Sequence, residues 1–132
     1  MKKLFFILLP IMALSLCSCI TKVMVDSPEH PVAVYDDLTC EFTGKISSTL
    51  ANVFKATNIA LERDMGFYRV GQIPKDKEWF VYARAKRDVK VVVNLREEKS
   101  GVIDVCISYG EDDLVLCQKL FKAILTNLKA YQ

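Results

Sequence analysis

Histidine is almost missing from these 132 residues, His30 being the only one. A zinc centre built on imidazole therefore lacks ligands, and no pair of cysteines has metal-ligand spacing to replace them. His30 stands between Pro28 and Pro31, where it reads as a solvated linker residue rather than a catalytic base. Glycine is scarce too, with 5 in the chain, and neither a phosphate-binding loop nor a dinucleotide fingerprint is present. No serine or cysteine has a base set beside it by any motif, so the chain reads as non-enzymatic, with no cofactor.

Charge of one sign is also lacking. Residues 1–18 carry Lys2 and Lys3 and no acid, so a chain without them has 18 − 2 = 16 basic and 16 acidic residues. Nucleic-acid binding needs a positive footprint that releases counterions, and a domain of zero formal charge has none. Long apolar runs are limited to Leu4–Leu16. As a helix this run spans about 20 Å, too short for the hydrocarbon core of about 30 Å.

What is there begins with that run. Lys2-Lys3 followed by Leu4–Leu16 has the layout of a secretory signal. It ends in Leu16-Cys17-Ser18-Cys19, which resembles the lipobox of bacterial lipoproteins. Cys19, preceded by the small Ser18, is the better lipidation site than Cys17, preceded by Leu16. The resemblance implies a diacylglycerol on the Cys19 thiol, cleavage before it, and acylation of the new amine, palmitate being the probe chain. Each buried methylene contributes about 0.8 kcal/mol, so such an anchor would hold the protein on a membrane. Ile20 is not the aspartate that retains sorted lipoproteins at the inner membrane, which implies an outer-membrane address. A plain cleaved signal and an uncleaved anchor kinked at Pro10 are the competing readings.

The expected organisation is a signal peptide over 1–18, a lipidated tether over 19–31 and a single domain over 32–132. At about 3.3 Å per residue the segment from Ile20 to Pro31 reaches at most about 40 Å from a membrane. Val32–Tyr35 is a short β-prone run. Leu38, Cys40 and Phe42 then alternate with polar residues as in a half-buried strand, which Gly44 is expected to end. Leu50, Val53, Phe54, Thr57, Ala60 and Leu61 mark one face of an amphipathic helix, with Ser47 or Ser48 as cap and Gly66 as stop. Phe54 and Leu61 read as core.

Strand patterns follow at 67–73, 79–85, 89–95 and 103–108. Turns are expected at Pro74–Lys77, at Lys86-Arg87-Asp88 and over Glu97–Gly101. Gly110-Glu111-Asp112-Asp113 opens a last helix whose buried stripe is Cys117, Leu120, Phe121, Ile124, Leu128 and Tyr131. The fold class is α+β: strand, helix, four-strand antiparallel meander, C-terminal helix.

Two sets of residues invite a ligand. Arg84, Lys86, Arg87 and Lys90 cluster at one hairpin, able to meet an anion, a lipid headgroup or an acidic partner, but a solvated tip is the favoured reading because the domain as a whole is neutral. Ala83 and Ala85 opposite Leu120 and Ile124 could leave room for a small apolar ligand between sheet and last helix, although small residues also allow closer packing. Among the cysteines, Cys40 and Cys117 sit on apolar faces and are the compatible disulfide pair, free buried thiols being the alternative, while Cys106 faces the other way.

The lipobox, A-L-E-R-D-M-G-F, R-D-V-K-V-V-V-N-L and V-C-I-S-Y-G-E-D-D-L together resemble a family of small Gram-negative lipoproteins known as a domain of unknown function. That resemblance implies a membrane-anchored interaction module with a part in virulence, since the family includes lipoproteins of intracellular pathogens, and it assigns no catalytic residues. The element order also resembles the helix-grip fold of birch-pollen-allergen-like proteins, in which a curved sheet wraps the C-terminal helix.

Overall fold

The computed structural model describes residues 20–24, 32–36, 39, 41–110 and 113–131. Their architecture is α+β: one antiparallel sheet carries two helices on one face. The strands are β1 (Ile20–Met24), β2 (Val32–Asp36), β3 (Glu41–Ser47), β4 (Tyr68–Lys75), β5 (Glu78–Arg84), β6 (Lys90–Lys99) and β7 (Val102–Tyr109), with α1 (Leu50–Ile59) between β3 and β4 and α2 (Leu114–Leu128) after β7. The sheet order is β1-β2-β3-β7-β6-β5-β4. The meander thus folds back so that β7 lies beside β3, leaving β4 at one edge and β1 at the other.

Alternation along each strand builds the two layers. Phe42 and Ile46 of β3, Ile103, Val105 and Ile107 of β7, Val91, Val93 and Leu95 of β6, and Val81 and Ala83 of β5 all turn inward and are buried. Val53, Ala56, Ala60 and Leu61 meet them from the first helix, and Leu120, Phe121, Ile124 and Leu128 from the second. Fully burying a side chain of this size stabilises the fold by about 1.5–3 kcal/mol. Phe54 is half-buried, its ring edge-on to Trp79 at 4.5 Å.

Several local expectations are corrected. Gly44 lies in the middle of β3, because the Phe121 ring occupies the space a Cβ there would need. The cap of α1 is Thr49, whose hydroxyl accepts from Asn52 N at 3.2 Å, not Ser47 or Ser48. The helix closes with a wider turn, Ala60–Asp64, in which Met65 N donates to Ala60 O at 2.9 Å; Gly66, at φ +67°, then ends it as expected. Strand β4 runs through Pro74 to Lys75, which an edge strand tolerates because no neighbour asks for the missing N–H. Strand β6 reaches Lys99 past a bulge between Glu97 and Lys99. Tyr131 is 36% exposed rather than buried, because the last helix tightens into a 3₁₀ turn after Leu128.

Two further strands extend the expected order. Val32–Asp36 pairs with β3 and contributes Ala33 and Tyr35 to the core. Ile20–Met24, expected within the tether, pairs with it in turn from Ile20↔Asp36 to Met24↔Val32.

Candidate functional site

The connection between β5 and β6 is tight: Ala85 N donates to Val89 O at 2.9 Å, enclosing Lys86-Arg87-Asp88. A short turn that matches the right-handed twist of its strands requires left-handed residues, usually glycine or asparagine. Here Arg87 (φ 63°) and Asp88 (φ 61°) adopt that conformation, at about 1–2 kcal/mol per residue with a Cβ. Arg84 steadies the turn. Its Nη1 donates to Asp88 O at 3.3 Å and its Nε lies 3.7 Å from the Asp88 carboxylate.

Across from this turn the chain leaves β7 and enters α2. Gly110, at φ +57°, donates its N–H to Lys90 O at 2.9 Å, and Asp113 caps the helix by accepting from Leu116 N at 3.0 Å. Between the two connections opens a pocket of about 670 Å³. Arg84, Arg87, Asp88, Val89 and Lys90 line one wall, and Tyr109, Gly110 and Asp113 the other. Among the described residues neither Arg87 nor Lys90 has a carboxylate partner. Burial first, and the charge of Asp113 next, push the Tyr109 phenol up from its ordinary value of 10.0, so at neutral pH it is a hydrogen-bond donor and not a base. The arrangement suits the binding of a ligand that carries charge of both signs.

A second, smaller hollow of about 150 Å³ lies on the outer face of the sheet, beside Glu41, Phe80, Asn94 and Cys106. Asn94 Nδ2 donates to Glu78 Oε1 at 2.8 Å, while its Oδ1 is buried with no partner. The Cys106 Sγ lies 3.6 Å from Thr43 Oγ1, and burial is the main cause that raises its thiol above the usual range.

The residues singled out from sequence divide accordingly. Arg84, Arg87 and Lys90 meet at the large pocket, whereas Lys86 is exposed and does not line it. Ala83, Ala85, Leu120 and Ile124 are all buried in the layer between sheet and helices, at 1%, 9%, 0% and 0% exposure, and neither hollow is lined by any of them. Cys19, Cys40 and Glu111 lie outside the described residues, and with Cys40 the Cys40–Cys117 pairing. The Cys117 thiol is buried and directed at Ile107 O, 3.9 Å away. Tyr109, Gly110 and Asp113 were not expected as site residues; the glycine and acids directly after a strand were the available signal.

No protein-family model matches the chain, and a search of curated proteins gives no match either.

Proposed function

We propose that this protein is a lipid-anchored, non-enzymatic interaction module of the cell envelope, tied through Cys19 to the outer membrane, with a part in virulence as the extension implied by its family resemblance. One observation carries the reading: a charged start, an apolar run and Leu16-Cys17-Ser18-Cys19 stand directly before Ile20, where β1 begins. An acyl chain on Cys19 would hold the body close to the bilayer rather than on a long leash.

The direction of the sheet adds to it. Ile20 pairs with Asp36, and the same level continues through Glu41, Ser108 and Val92 to Tyr82. The Lys86–Asp88 turn and the entry to α2 therefore share the sheet end from which β1 departs. A membrane at Cys19 would face that end, and the edge strand farthest from β1, where Val70 and Ile73 of β4 are 58% and 48% exposed, would remain available for protein contacts.

The test is metabolic labelling with a palmitate analogue followed by membrane fractionation. Native protein and Cys17→Ala should be labelled and sediment with the outer membrane, and Cys19→Ala should be neither. Label retained by Cys19→Ala would overturn the anchor. A photo-cross-linking residue in place of Val70 should capture an envelope protein in intact cells, and the absence of any adduct would count against the interaction role.

A further inference from the structure

The pocket between the Lys86–Asp88 turn and the start of α2 has no part in the anchor, yet the register of the sheet puts it at the end of the body that an acylated Cys19 would turn toward a bilayer. Its walls carry charge of both signs. Arg87 and Lys90 are without carboxylate partners among the described residues, and Asp113 faces them across the opening with one carboxylate oxygen engaged by Leu116 N. A carboxylate has acceptor sites beyond one such bond. Val89 and Tyr109 supply apolar surface between the two.

A simple anion fits this poorly. It would gain from Arg87 and Lys90 but stand beside Asp113, whose charge, among the described residues, no pocket cation engages as Arg84 engages Asp88, a like-charge arrangement that costs binding energy. An anionic surface fits poorly for the same reason, since Asp36 and Glu41 share this end of the sheet. A molecule with a phosphate and an ammonium a few bonds apart satisfies both walls at once: charge-assisted hydrogen bonds run from guanidinium and ammonium to phosphate oxygens, and the ligand's own ammonium meets Asp113. We infer that the pocket takes a zwitterionic phosphodiester headgroup of the phosphoethanolamine type, with a lipid of the anchoring membrane as its source.

The location at the membrane rests on the anchor proposed above, but the binding chemistry does not. Titration of the full-length protein in detergent micelles with glycerophosphoethanolamine, glycerophosphoglycerol and inorganic phosphate separates the two. Glycerophosphoethanolamine should bind most tightly, and equally to Cys19→Ala, so that a failed anchor leaves the pocket's chemistry standing. Arg87→Gly combined with Lys90→Gln should weaken it by roughly tenfold or more, glycine accepting the left-handed position. Asp113→Asn keeps a capping side chain and should abolish the preference for the ethanolamine over the glycerol headgroup.

Equal binding of glycerophosphoglycerol or phosphate by the native protein would overturn the zwitterion assignment, as would undiminished binding by the double variant. Nanodiscs containing phosphatidylethanolamine should protect Lys90 from amine acylation more than phosphatidylglycerol nanodiscs do. Binding of the soluble headgroup without that protection would overturn the lipid source.

Discussion

The Phe121 ring rests on Gly44, filling the space where any other residue would place its Cβ. That contact sets how closely α2 lies on the middle of β3, and Phe42 completes the cluster with its ring centroid 5.3 Å from that of Phe121. Overpacking a filled core costs about 1–3 kcal/mol. Gly44→Ala is therefore expected to lower the unfolding free energy by that amount, seen as a lower urea midpoint, and Phe121→Leu, which trims the ring, to recover part of the loss in the double variant. Additive losses in that cycle would show that the two residues do not press on each other.

Asp64 and Asn127 tie the wide turn after α1 to the second helix. Asn127 Nδ2 donates to Asp64 Oδ2 at 2.5 Å and to Ala123 O at 2.8 Å, while Arg63 Nη2 donates to Asn127 Oδ1 at 2.5 Å. The bond from Asn127 is the main cause, followed by Arg63, that holds the Asp64 carboxyl below its ordinary 3.8. The folded state thus releases this proton more readily than the unfolded one. The stabilisation is complete above about pH 4 and is lost as the pH falls through the folded-state value. Asn127→Ala should cost about 1–2 kcal/mol at pH 7, with the gap to the native protein narrowing on acidification below 3.8. A gap of equal size at both pH values, measured by denaturant titration, would contradict the linkage.

How far the sequence revealed this follows from the range of each interaction. The stripe Leu120, Phe121, Ile124 and Leu128 and the meander were legible because both repeat over short distances. The role of Gly44 was not, since the residue that demands it belongs to the last helix. Ile20–Met24 looked like tether because its partner strand is itself only five residues long and its pairing is invisible to local pattern. The cationic hairpin could be read as a cluster, but its opposite wall, Tyr109, Gly110 and Asp113, reaches it only through the β6–β7 ladder.

Cys106 and Thr43 sit on the outer face of adjacent strands, paired across the ladder. Burial raises the thiol, Thr43 pulls it back, and Glu41 and Asp104 raise it further. Since the thiolate is the reactive species, iodoacetamide at pH 7 should modify Cys106 more slowly than an exposed cysteine. Thr43→Val should slow it again by removing the larger of the two influences, Thr43 and Arg96, that favour the charged form. Peptide-level mass spectrometry separates its adduct from that of Cys117, and fast labelling at neutral pH would refute the assignment.

Arg87 offers the sharpest test of the turn itself. At φ 63° it holds a conformation that a side chain with a Cβ disfavours, so Arg87→Gly removes strain from the folded state. Glycine also gives the unfolded chain more freedom, which offsets part of the gain. The net expectation is a stabilisation of about 0.5–1 kcal/mol, seen as a rise of a few degrees in the thermal midpoint. Arg87→Pro places a residue locked at φ near −65° in the same position and should instead break the hairpin and, with it, the pocket. If glycine lowers the midpoint, the arginine must be making a contact worth more than the strain, and its side chain would then belong to the folded core of the site rather than to its binding surface.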